Sequence, residues 1–168
     1  MAAIVHAACD GPVSFVRRRM SRDGEPRRHG GTGPTKETAM KYVILIHANP
    51  EPWDHPTARF TAEGKALSAD EHAELDRRFD LLFDEMQTRG ELVDAEALAA
   101  PSTSTVFRWR SDATEGPFTE TAEQLAGFFH IDVESHERAV EIASQFAGPG
   151  SPAELRPSMW VDPRRQQK

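Results

Sequence analysis

Apolar positions along the chain follow two periods in turn, and the order of those periods outlines a fold. Lys41-Tyr42-Val43-Ile44-Leu45-Ile46-His47 is a continuous β-branched and aliphatic run, the pattern of a central strand covered on one face. Ala48 to Leu67 carries Pro50, Pro52, Pro56 and Gly64, which predict a long loop without regular elements. Ser68-Ala69-Asp70-Glu71 has the form of a capping box and predicts a helix start. Leu75, Phe79, Leu82, Phe83 and Met86 then fall on one stripe of a 3.6-residue period. Arg89 complements the helix dipole there, and Gly90 supplies the stop.

Leu92 to Leu98 reads as a weak strand, and Pro101 with Ser102 to Thr105 as a bend. Thr105, Phe107 and Trp109 next alternate with Val106, Arg108 and Arg110, predicting a strand with an apolar face opposed to a mostly basic one. Gln124 to Val133 is a buried strand by its length and aromatic content. Ser135 caps a second helix whose Ala139, Ile142, Ala143 and Phe146 share a face, stopped by Gly148-Pro149-Gly150. Ala153 to Met159 closes as a short strand whose Pro157 suits a sheet edge. The order β-α-β-β-β-α-β predicts an α+β fold, an antiparallel sheet with two helices on one face, which is ferredoxin-like architecture.

Composition adds boundaries. Residues 1–39 are rich in Gly, Arg and Pro without periodicity, so we expect a disordered basic extension or a segment upstream of a natural start at Met40. Residues 161–168 are expected to form a disordered tail. The single Cys9 excludes an internal disulfide and a thiolate metal site, and favours a reducing, cytoplasmic setting. No apolar run reaches the length of a membrane span, so no membrane partner is expected. Residues 1–39 hold seven Lys/Arg and four Asp/Glu, and residues 40–168 hold 13 and 23, balances of +3 and −10. A domain this acidic repels phosphate backbones, which argues against direct nucleic-acid binding by it.

The chain resembles the YCII-related (DGPF-type) family across residues 40–160. The likeness is carried by Met40-Lys41-Tyr42, by Gly90-Glu91-Leu92 after the first helix, and by Glu115-Gly116-Pro117-Phe118-Thr119-Glu120 leading to Ile131-Asp132-Val133. Glu154-Leu155-Arg156-Pro157 fits the closing strand. Glu115, Ala122 and Ala126 stand where the family has Asp, a basic residue and Gly. The resemblance implies a domain of dimeric α/β-barrel type: a homodimer whose sheets face each other around a pocket for an unknown small molecule, with a possible but unspecified enzymatic reaction. It implies, as an alternative, a regulatory module linked to an alternative sigma factor in transcription initiation. The family's helical His and later Asp fall near Phe79 and Phe146 of this chain, so a His–Asp acid–base pair does not carry over.

Candidate chemistry is therefore read from the residues themselves. The Gly-Pro-Phe turn has a structural reading, with Gly116 adopting a backbone few residues accept, Pro117 fixing φ and Phe118 plugging the core. In the functional reading, Glu115 and Glu120 flank a pocket mouth. His47 ends the first strand, where an antiparallel neighbour running from Gly127 brings it towards that turn, and it is the main candidate for a titrating group. Trp109, Phe118 and Arg156 are candidates for ligand contact, and Trp53, Asp54 and His55 for covering a ligand. His130 and Asp132 share a strand face but lack a third ligand, so no metal and no cofactor are assigned.

Overall fold

The computed structural model describes residues 40–159; the readings made for 1–39 and 161–168 lie outside them. The chain runs through β1 (Met40–Ala48), a 3-10 turn (Thr57–Arg59), a one-turn helix α1 (Ala62–Lys65), α2 (Ala69–Arg89) and β2 (Leu92–Ala97). After a second 3-10 turn (Pro101–Thr103) come a short ribbon of β3 (Thr105–Val106) and β4 (Thr114–Glu115), then β5 (Gln124–Val133), α3 (His136–Phe146) and β6 (Ala153–Pro157).

The most apolar strand lies centrally. β1 pairs antiparallel with β5 on one side and β6 on the other, and β2 pairs antiparallel with the far edge of β5. The order is β2-β5-β1-β6, an α+β domain compatible with a ferredoxin-like arrangement. Period-two alternation puts Tyr42 and Ile44 of β1 with Ile131 and Val133 of β5 in the core. Leu82 and Met86 of α2 and Ala139, Ile142 and Ala143 of α3 cover this face. At the rim, Phe79 stacks on Phe83 with centroids 5.8 Å apart, and Phe129 meets Phe146 at 4.1 Å.

Both helices begin as their sequences predict. Ser68 and Glu71 form a reciprocal capping box, and Ser135 accepts from the Arg138 amide. Gly90 ends α2 at φ 68°, with its amide and that of Glu91 returned to Gln87 and Met86 carbonyls.

Three expectations need correction. The loop 48–67 contains a 3-10 turn and α1, because Thr61 caps the Gly64 amide. Gly64 is no breaker there: a Cβ on it would sit 1.6 Å from the Ala58 carbonyl oxygen, so glycine lets the two turns nest. The strand expected through Arg110 stops at Val106, and Phe107 and Trp109 are 81% and 87% exposed. Their alternation matches a strand, but no opposing layer among the described residues covers them. The final strand ends at Pro157, two residues before Met159.

One buried ion-pair network ties the helices to the strands. Arg138, at the start of α3, has a side chain only 7% exposed, and it clamps Glu91, whose side chain is 6% exposed, with bonds of 3.1 and 2.9 Å. Glu85 and Glu141 complete its shell at 2.7 and 2.9 Å, and Arg89 donates to Glu91 at 2.9 Å. Burial pushes the Glu91 carboxyl up, but the Arg138 fork and Arg89 outweigh it and hold the group below its ordinary value of 4.5.

Removing one partner leaves a buried charge uncompensated. Arg138→Ala is expected to cost about 3–5 kcal/mol in urea unfolding at neutral pH, with Arg138→Met combined with Glu91→Leu recovering most of the loss. A loss below about 1 kcal/mol for Arg138→Ala contradicts this account. The pH dependence follows from the sign of the shift. A depressed carboxylate stabilises the fold above its unfolded value of 4.5, and that contribution is lost as pH falls through the lower folded value. The wild type loses that contribution as pH falls below 4.5, so the deficit of Arg138→Ala narrows there, measurable as converging urea midpoints.

Candidate functional site

His47 owes its position to an irregularity in the central pairing. Ile46 pairs with Gly127 but His47 with Leu125, so Ala126 is an extra residue on β5. Ala126 is buried, and its carbonyl accepts from the Leu98 amide at 2.8 Å. The bulge thus joins the end of β1, the start of β5 and the exit of β2. A cleft of about 480 Å³ opens there, lined on one side by His47, Gln124 and Leu125 and on the other by Leu98, Ser104, Pro117 and Phe118.

The far wall is the Gly-Pro-Phe turn. Gly116 adopts φ 97°, a region L side chains disfavour, and its amide donates to the Ser104 carbonyl at 2.8 Å. That bond extends the β3–β4 ribbon and sets Pro117 and Phe118 at the cleft. Phe118 does not plug the core: it is 73% exposed, with the Arg108 guanidinium 5.7 Å from its ring centre. Gln124 braces the near end of the same loop by donating to the Thr119 and Thr121 carbonyls, each at 3.0 Å.

His47 has a charged neighbour on the open face of the sheet. Its Nε2 lies 3.3 Å from Glu154 Oε2 on β6, and Arg156 donates to the other Glu154 oxygen at 2.6 Å. The Arg156 hydrogen bond, followed by its charge and then by His47, holds the Glu154 carboxyl below its ordinary value. The Glu154 carboxylate accepts from His47 Nε2 and orients the ring.

The sequence candidates are thus divided. His47 and Phe118 meet at one cleft, and Arg156 is bonded to Glu154 beside His47, outside the cleft's lining. Glu115 pairs with Thr105 in the ribbon, and neither it nor Glu120 lines the cleft. Trp109 stands out from the ribbon with Arg110 over its ring. Sequence reading missed Gln124, Ser104 and Glu154. The first two lie on the chain segments next to the turn, but nothing in the sequence reports that β6 sets Glu154 beside His47.

In the β1–α1 loop, Trp53 Nε1 and His55 Nε2 both donate to the Leu98 carbonyl at 3.0 Å. These side chains anchor the loop to the cleft's rim rather than lie over it, and His55 carries its proton on Nε2. His130 and Asp132 sit on the open sheet face, where His130 Nε2 and Asp132 Oδ1 are buried without a hydrogen-bond partner among the described residues. No cluster of three or more metal-ligating side chains occurs among the described residues. A second depression, at Leu67, Asp70, Glu71, Glu74, Leu75 and Pro149, spans about 490 Å³. Glu71 is already used in the capping box and Glu74 by Arg77, leaving it little free polar chemistry.

No helix among the described residues is long and apolar enough to cross a membrane. No protein-family model matches the chain, and no curated protein matches it significantly.

Gly116→Ala is expected to weaken the ribbon by about 1–2 kcal/mol, because a Cβ strains the backbone at positive φ. The effect is local, so it shows as amide exchange roughly 5- to 30-fold faster at residue 116 with little change in global unfolding. Unchanged exchange there rules out the positive φ as the constraint that forms the cleft wall.

Proposed function

We propose that the chain is a cytoplasmic, YCII-related protein of dimeric α/β-barrel type, a homodimer that holds a small molecule in the cleft between His47 and the Gly-Pro-Phe turn. The observation that carries this reading is the convergence of His47 and Pro117-Phe118 on one cleft of about 480 Å³, within the usual range of small-molecule sites. Its lining is mixed: Leu98, Pro117, Phe118 and Leu125 supply apolar surface, and His47, Ser104, Thr119, Thr121, Glu123 and Gln124 supply polar groups. Such a lining suits a ligand that carries several polar groups beside an apolar part. The Glu154 contact supports a role for His47 in hydrogen bonding to the ligand, since it orients the ring. The one-sided sheet supports the homodimer, because Val43, Leu45 and Phe128 lie on the face the helices leave open.

The test is a thermal-shift screen of small carboxylic acids, carbonyl compounds and aromatic metabolites, followed by titration of each hit against His47→Ala and Phe118→Ala. A ligand of this cleft loses about tenfold or more in affinity in both variants and raises the melting temperature of the wild type alone at matched concentration. A hit that binds both variants as well as the wild type places the site elsewhere.

A further inference from the structure

The ribbon arm, Thr105 to Phe118, has no assigned partner, and its composition is that of a contact surface. Phe107, Trp109 and Phe118 are 81%, 87% and 73% exposed, in a segment closed by a short antiparallel ladder. Thr105 pairs with Glu115, Val106 with Thr114, and Arg108 donates to the Thr114 hydroxyl at 2.9 Å. Arg108 and Arg110 lie over the Phe118 and Trp109 rings at 5.7 and 5.3 Å. Aromatic rings and arginines clustered on an exposed arm are the residue types that dominate protein–protein hot spots.

Charge indicates the partner. Residues 40–159 hold ten Lys/Arg and 22 Asp/Glu, a balance of −12. In that acidic setting neither Arg108 nor Arg110 makes an ion pair with a described residue. On the edge strand β2, Asp94 and Glu96 are exposed and likewise meet no cation among the described residues. They pair across to His130 and Phe128 on the same open sheet face, where His130 Nε2 and Asp132 Oδ1 also lack partners. Area agrees as well: Phe107 and Trp109 of two symmetric arms bring four rings, which hide on the order of 700 Å² and cover about as much on the surface they meet. That reaches the roughly 1,200–2,000 Å² of a stable specific interface.

We infer that the arm docks on a second copy of this chain, with Arg108 and Arg110 set against the partner's acidic β2 edge and Phe107 and Trp109 against its open sheet face. The inference rests on the homodimeric reading above and deepens it, because Phe118 belongs both to the arm and to the cleft. Docking fixes one wall of the cleft, so the site is complete only in the dimer.

The test uses the full chain in light scattering and sedimentation across micromolar concentrations. The wild type is expected to be a dimer. Phe107→Ser with Trp109→Ser weakens it by about tenfold to a hundredfold with an unchanged circular dichroism spectrum, since both side chains are exposed in the protomer. Arg108→Glu with Arg110→Glu weakens it similarly, and adding Asp94→Lys with Glu96→Lys restores dimerisation. A wild-type dimer whose dissociation constant is unchanged in the ring variant overturns the arm's role and leaves the homodimer standing. A monomeric wild type, whether or not it takes up a single-stranded oligonucleotide, overturns both.

Discussion

The salt link between Arg138 and Glu91 sits where four elements meet, and the packing of the domain depends on it. Glu91 follows the α2 stop directly, its amide closes that stop on Met86, and its carbonyl accepts from the Asp132 amide near the end of β5. Its carboxylate receives Arg138 from the first turn of α3. One residue thereby fixes where α2 ends, where β2 begins, how β5 finishes and where α3 starts. Taking both charges out of water costs several kcal/mol, and only a bidentate geometry with extra donors recovers it. The link therefore acts less as added stability than as a requirement for one arrangement of the helices on the sheet, since any other leaves two charges buried apart.

With that face closed, the opposite face sets the chemistry. It carries Lys41, Val43, Leu45 and His47 of β1, opposite Asp132, His130, Phe128 and Leu125 of β5 and beside Glu154 and Arg156 of β6. A fully solvated face carries few large apolar side chains, and a core face carries few charges. The mixture fits a surface that is covered in part and holds polar groups in set positions. The His47–Glu154–Arg156 chain is one such group, and the unpartnered atoms of His130 and Asp132 are another.

Much of this was legible in the residues. The Ser68–Glu71 capping box, the Ser135 cap, the Gly90 stop, the continuous β1 run and the aromatic β5 run each arise from local backbone or burial requirements, and the structure follows them. The proximity of His47 to the Gly-Pro-Phe turn was legible too, because antiparallel pairing converts sequence distance from Gly127 into spatial distance. Other features were hidden for identifiable reasons. Arg138 reads as an ordinary surface residue of an amphipathic helix, and its burial depends on Glu91, 47 positions away. Phe107 and Trp109 alternate as a buried strand does, and periodicity cannot tell a core face from a face awaiting a partner. Gly64 reads as a breaker, although it is needed for a close approach within a helical turn.

The hidden features concentrate in one place. The segment between β2 and β5 contains the shortened strand, the exposed rings, the positive φ of Arg110 and Gly116, and the far wall of the cleft. Elsewhere local propensity, apolar pattern and packing agree, so the sequence specifies its own structure. In this segment the local pattern asks for burial that the described chain does not provide, while the ribbon pairing and the guanidinium stacks keep it ordered. Such conflict between local pattern and monomer burial is expected where a surface is built for an external contact rather than for the core. That the segment carrying this conflict, Thr105 to Phe118, ends in Pro117 and Phe118 of the cleft wall is the physical reason to treat binding and assembly as coupled here.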